Sequence, residues 1–265
     1  MSAPRVKRSA PSDKVAPQRK SGVRINRLHK WDLDLNEAKA VQRGLSKLVR
    51  LDSLGGEPRF IAGADVAVSP SGSLRFARGR VSADATPTRV FAAVVVWDAE
   101  TRAVVETATR IGETRFPYIP GLLSFREAPT LLEAFSALST RPDAAIFDGQ
   151  GIAHPRRFGL ACHVGLWLDI PSVGCAKSRL IGTHADLPQD RGAQVRLVDD
   201  GEVIGSVVRT RTNVKPVFVS PGHRIDFASA TRLVLKCAAR FRLPEPTRLA
   251  DQLSKRAKAS GPHDV

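Results

Sequence analysis

Residues 60–68 read FIAGADVAV. Successive side chains of a strand point to opposite faces, and here both alternating sets are small or apolar. Such a strand is buried on both sides, so the sheet that holds it must carry a packed layer on each face. One residue breaks the pattern. Asp65 stands in a run otherwise fit for burial, and a buried carboxylate is costly unless it is paired or coordinated. Aspartate is also depleted in strand interiors. The structural alternative is an aspartate at the strand end that caps backbone amides.

Two more strands are predicted close behind, VFAAVVVW (90–97) and AVVETATRI (103–111), with Gly, Ser and Arg at 71–80 marking a turn. Their short spacing predicts an antiparallel meander. The pattern then changes. Leu131, Leu132, Phe135 and Leu138 are spaced as a helix, AAIF (144–147) is a short buried strand, and a segment near 156–168 is helical. PSVGCA (171–176), 194–199, 203–209 and VFVS (217–220) read as strands, and DFASATRLVLKCAARF (226–241) as an amphipathic helix. Ahead of them all, Leu35, Ala38, Val41, Leu45 and Leu48 recur at helical spacing. Strands first and strand–helix alternation second predict an α/β fold, a mixed sheet flanked by helices.

This domain is expected over 31–250. Residues 1–30, rich in Pro, Ser, Lys and Arg, read as a disordered basic arm, and 251–265 as a basic C-terminal tail that frays from about 247. The 265 residues hold 41 Lys+Arg against 26 Asp+Glu, a net charge of +15. A charge this large speaks to partners, and the usual polyanion is nucleic acid. Nine Lys/Arg against Asp13 give the arm +8, which leaves +7 on the rest. No apolar stretch approaches the roughly 20 residues of a membrane span, and the basic N-terminus has no apolar core of a secretory signal. Cys162, Cys175 and Cys237 are scattered without a C-x-x-C pair, which argues against a disulfide framework or zinc ribbon and for a cytoplasmic protein.

Two further carboxylates join Asp65. Asp148 follows AAIF and precedes Gly149. Asp-Gly alone signals a turn, but DGQGIAHP at a strand's carboxyl end is where α/β sheets place their sites. Glu127 has two readings. Ser124-Phe-Arg-Glu127 matches a capping box, whereas a helix that starts there turns Glu127 inward with Leu131 and Phe135. Thr130–Glu133 offers a second start, favoured by Pro129, which disfavours a helical Ala128. The stretch alone leaves both open. Carboxylates without thiolates suit a hard cation such as Mg²⁺ or Mn²⁺, and such a cation in a basic protein points to phosphodiester chemistry.

Four stretches carry a resemblance: FPYIPGLLSFREAP (116–129), DGQGIAHPRRFGLACHVG (148–165), VGCAKSRLIG (173–182) and VSPGHRID (219–226). In this order they resemble successive motifs of the endonuclease V family, the deoxyinosine 3′ endonucleases, over roughly 33–250. The resemblance implies a ribonuclease H-like fold and Mg²⁺-dependent nicking, with Mn²⁺ as substitute, at the second phosphodiester 3′ to deoxyinosine. The ends left are a 3′-hydroxyl and a 5′-phosphate. It implies Asp65, Glu127 and Asp148 as an acidic triad, with Asp65 and Asp148 the direct metal ligands. Lys177 would contact the scissile phosphate, and His223 would stand near the metal or leaving oxygen. His154 would lie by the lesion pocket. Without the resemblance these three read as a surface lysine, a loop histidine and a turn histidine.

A deaminated base must leave the stack to be read. Pro117, Tyr118 (the only tyrosine in the chain), Ile119 and Pro120 resemble the family's wedge, which fills the gap left in the duplex, and Gly121 and Leu122 follow it in the set implied for wedge and lesion recognition. Gly121, Gly149 and Gly151 would admit the flipped base close to the backbone. The implied partner is DNA holding deoxyinosine or related lesions, bound by a monomer. The alternatives are an inosine-specific endoribonuclease and a non-catalytic basic protein held to nucleic acid by phosphate contacts alone.

Overall fold

The computed structural model describes residues 22–69, 76–77, 80–81 and 87–260. The elements run α1 (Leu35–Ser46), β1 (Phe60–Val68), a ribbon of β2 (Phe76–Ala77) and β3 (Arg80–Val81), β4 (Thr88–Asp98), β5 (Ala103–Thr114), α2 (Leu123–Ser136) and β6 (Ala144–Phe147). They continue with α3 (Leu160–Leu168), β7 (Ser172–Ala176), β8 (Gln194–Asp199), β9 (Glu202–Val208), β10 (Val217–His223), α4 (Phe227–Cys237) and α5 (Glu245–Ser260). Most of the turn expected at 71–80 lies outside the described residues.

Eight strands form one mixed sheet in the order β5-β4-β1-β6-β7-β10-β9-β8. β1, β4 and β5 are the expected antiparallel meander. β1, β6 and β7 are mutually parallel, and β10, β9 and β8 extend the sheet antiparallel. The alternation seen in sequence sorts the two faces. Ala62, Ala64, Val94 and Phe147 pack with Leu131, Phe135 and Val164 of α2 and α3, whereas Ile61, Ile146, Val173 and Val219 pack with Leu233 and Val234 of α4. Helix α5 lies on the α4 side, over β1 and β4. Gly63, in phase with Ile61, faces Pro246 there.

The domain is wider than expected at both ends. Residues 22–30 are not part of a free arm. Val23 is buried in the α2/α3 core, the Asn26 amide donates to the Trp167 carbonyl, and His29 stacks edge-on against Trp31 and Trp167. Residues 251–260 are not a frayed tail. Thr247, Ala250, Ser254 and Ala257 are the buried face of α5, at spacings of three and four. Their smallness lets the helix axis come close to the sheet, and Pro246 is tolerated in its first turn because that turn has no intrahelical partner for its N–H groups. Residues 1–21 and 261–265 lie outside the described residues. No helix among the described residues is long and apolar enough to cross a membrane.

Candidate active site

β1 and β6 are parallel neighbours with Ala64 opposite Phe147. The next residue of each strand is an aspartate, so the register alone sets Asp65 beside Asp148 at one end of the sheet. The Asp148 amide donates to the Ala64 carbonyl at 3.4 Å. A third carboxylate arrives from α5: ligand oxygens of Asp65, Asp148 and Asp251 all lie within 4.8 Å of one another. Like charges at that separation repel by about 3–4 kcal/mol per pair at an effective dielectric near 20. Burial, and then the charges of Asp148 and Asp251, raise the Asp65 pKa against the hydroxyl bond from Ser254, which Asp65 accepts at 2.6 Å. No backbone amide donates to Asp65 among the described residues, so the strand-end cap is not its role.

Glu127 stands at the edge of this cluster. α2 begins at Leu123, its first turn has no side-chain cap, and Pro129 sits inside it. Neither capping box forms, and the Ser124 hydroxyl pairs with His163 Nδ1 instead. Burial of Phe125, Leu131 and Phe135 outweighs the missing Pro129 N–H, and the helix carries Glu127 inward. Burial and then Asp65, with Asp148 adding, push its pKa up to about 8 against the opposing charge of Arg126.

Lys177 follows β7, the parallel neighbour of β6, and so emerges at the same end of the sheet. Its Nζ lies 2.5 Å from Asp148 and 3.3 Å from Asp251. Burial would lower its pKa, but these two carboxylates hold it above the ordinary lysine range. Oxygen ligands from three strands and helices, with one ammonium to offset them, leave a surplus of negative charge that fits a hard divalent cation.

His223 does not join this group. It ends β10 opposite Ser172, the first residue of β7, while Lys177 lies beyond the last. His223 therefore sits at the other end of the sheet, where its ring meets the Arg50 amide and Asp169 Oδ1, each at 3.4 Å. Its expected place near the metal is corrected by strand direction. Asp251, hidden in the stretch read as a tail, is the residue found there.

A cavity of about 320 Å³ opens beside the carboxylates, with Asp148 and Lys177 in its wall. The loop from Tyr118 to Gly121 lines the same cavity. Tyr118 is 66% exposed, an unusual state for a large aromatic ring, whereas Pro117 is buried beneath it and Ile119 leans on Ala38, Leu122 and Phe125. Leu122, expected among the wedge and lesion-recognition residues, is fully buried in that small core. Leu123 and Ser124, which open α2 without a cap, line the cavity in its place. Gly149 also lines it, but Gly151 does not: a Cβ there would fall 2.0 Å from the Pro221 carbonyl oxygen, so Gly151 serves close packing against β10. His154 is 3% exposed; its Nε2 donates to the Gly121 carbonyl at 2.9 Å and its Nδ1 accepts the Arg156 amide at 3.1 Å. Burial lowers its pKa to about 4, which keeps this donor–acceptor arrangement neutral.

Residues 43–252 match the family model described as Endonuclease V. Endonuclease V of Geotalea uraniireducens is 45% identical over 225 residues, 85% of this chain and 89% of that relative. Endonuclease V of Azotobacter vinelandii is 47% identical over 227 residues, 85% of this chain and 96% of that relative. The crystal structure of endonuclease V from Streptomyces avermitilis aligns with a TM-score of 0.76 at 41% identity, over 91% of this chain and 99% of that one. These structures share the ribonuclease H-like fold, which is the fold seen here.

Proposed function

Because the chain belongs to the endonuclease V family, DNA repair endonucleases that act on deoxyinosine and depend on a metal, we propose that it nicks the second phosphodiester bond 3′ to the lesion, leaving 3′-hydroxyl and 5′-phosphate ends. The observation that carries the reading is shared residues. Asp148 and Lys177 belong both to the carboxylate cluster and to the wall of the cavity faced by Tyr118. A site that would read a base and a site that would cut a backbone thus share the carboxyl ends of two neighbouring parallel strands, β6 and β7.

Asp65, Asp148 and Asp251 would hold Mg²⁺, with Glu127 beside them and Mn²⁺ able to replace it. When bound there, such a cation would supply charge cancellation at the phosphate and activation of water. Ser254 fixes the Asp65 carboxylate by donating to one of its oxygens. Lys177 is held between Asp148 and Asp251, and the incoming phosphate takes a share of its charge.

The cavity sits at the small end of the range for ligand pockets and suits one base. Uncapped N–H groups at the start of α2 favour an acceptor there. Hypoxanthine offers a carbonyl oxygen at position 6, where adenine offers an amino donor, so adenine would leave those donors unpaired. Tyr118 projects where the ring can stack on exposed bases. Three free buried thiols suit a reducing compartment, and we assign the protein to the cytoplasm as a monomer.

The test is incubation with matched DNA and RNA oligonucleotides, each with one inosine, with and without Mg²⁺. Nicking of the DNA at the second 3′ bond only with metal is expected. Preferential cutting of the RNA would make the enzyme an endoribonuclease, and binding without cutting would leave only a nucleic-acid binding protein.

A further inference from the structure

One carbonyl at the base of the Tyr118 loop collects three donors. The Gly121 oxygen accepts from Gln42 Nε2 at 3.0 Å, His154 Nε2 at 2.9 Å and Arg156 Nη2 at 2.6 Å. A carbonyl has two lone pairs, so this oxygen is saturated. Gln42 is 1% exposed and spends its whole amide here. Its Nε2 also donates to the Phe158 carbonyl at 3.1 Å, and its Oε1 accepts from Arg156 Nε at 2.5 Å. No carboxylate pairs with Arg156 among the described residues, so its charge strengthens these bonds rather than an ion pair.

The bonds tie together two segments that line the cavity or adjoin its lining. Gly121 ends the exposed loop, and Phe158 precedes Gly159 on the wall that follows Asp148. Gly121 has φ +80°, and a Cβ there would lie 3.0 Å from Arg156 Nη2 and 3.3 Å from His154 Nε2. The glycine and the clamp therefore require one another. Helix α1 has no charge or nucleophile in the cavity. Its contribution is Gln42, more than a hundred residues before the wall it braces in sequence.

We propose that Gln42 is a positioning residue for lesion recognition: it locks the Gly121 peptide so that Tyr118 and the opening amides of α2 are set before DNA arrives. This rests on the reading of the Tyr118 loop as the element that enters the duplex. A loop fixed in advance loses little freedom on binding. A loop released from its clamp must be ordered by the DNA, and the loss falls on affinity, not on the chemical step.

The experiment is a double-mutant cycle with Gln42→Met and Tyr118→Ala. It reads the dissociation constant for inosine duplex and inosine single strand, the single-turnover rate at saturating enzyme, and Tm. Gln42→Met alone should weaken duplex binding roughly 5- to 100-fold, the loss that goes with broken buried hydrogen bonds. Its saturating rate should stay within about 3-fold, because the carboxylates are untouched. In the Tyr118→Ala background the same change should add no more than about 2-fold, since both act through one loop. Gln42→Glu keeps the Arg156 partner but sets an acceptor against two carbonyls; it should show an intermediate loss and carries the test if Gln42→Met does not fold. Equal, multiplicative losses in both backgrounds, or a matching fall in the saturating rate, overturn the clamp. Tyr118→Ala binding the lesion normally would instead overturn the reading of the loop.

Discussion

Gly63→Ala adds one methyl group to β1 at the point where α5 crosses it. The new Cβ would lie 2.0 Å from the Pro246 carbonyl carbon, 2.2 Å from its oxygen and 2.3 Å from the Thr247 nitrogen. Carbon pairs rest at about 3.5 Å, so the start of α5 must retreat by roughly 1.5 Å. All three atoms are backbone, and no rotamer change relieves them. Alanine is intrinsically the better strand residue by about 0.5–1 kcal/mol, but overpacking costs about 1–3 kcal/mol or more, so the clash wins. At roughly 2–4 °C per kcal/mol for a chain of this size, Tm should fall by several degrees. The retreat carries Asp251 and Ser254 away from Asp65, and a misplacement of about 1 Å can cost about 100-fold in rate. Thermal melts and single-turnover nicking of an inosine duplex at saturating Mg²⁺ would measure both. Gly44→Ala is the control: a Cβ there meets nothing within 4 Å, and α1 should gain up to about 1 kcal/mol. A Gly63→Ala enzyme with unchanged Tm and rate would show that α5 does not lie on β1 in the working protein.

Other changes separate chemistry from recognition. Asp65→Ala and Asp148→Ala should each abolish nicking yet bind inosine DNA, and Asp251→Asn should slow it by about 100-fold or more; full nicking by any of them in Mg²⁺ removes that residue from the metal site. Tyr118→Ala should lose roughly 5- to 150-fold in duplex affinity and less in saturating rate, with a smaller defect on single-stranded inosine DNA. Equal rate loss on both substrates would place Tyr118 with the catalytic groups. Deleting residues 2–21 removes six Lys/Arg and should flatten the slope of log affinity against log salt, by about 0.9 for each phosphate that is no longer neutralised; an unchanged slope would show that this segment does not touch DNA.

The strands were legible where burial wrote them plainly. FIAGADVAV and AAIF match β1 and β6 residue for residue, and a carboxylate in or after each was conspicuous because its neighbours are apolar. Glu127 stayed ambiguous because the choice of helix start belongs to tertiary packing: Phe125 and Phe135 fill the core and draw Pro129 into the helix. Asp251 was hidden for a different reason. α5 buries Thr247, Ala250, Ser254 and Ala257, residues too small or polar to make an apolar stripe, in a stretch crowded with Lys and Arg. The readable signal was their spacing of three and four behind a proline. His223 shows the opposite failure, since a motif fixes a residue's neighbours in sequence but not the end of the sheet to which its strand delivers it.

Ser254 and Asp65 meet across 189 residues of chain. On the ribosome β1 emerges early, and the helix that carries Asp251 and Ser254 emerges after every strand of the sheet. A domain generally folds as a unit, and α5 packs across β1 and β4, so the sheet and its cluster are finished together, late in synthesis. A polypeptide abandoned before α5 would lack both Asp251 and Ser254, the two residues that α5 brings to Asp65. The carboxylate cluster is therefore complete only once synthesis has passed α5.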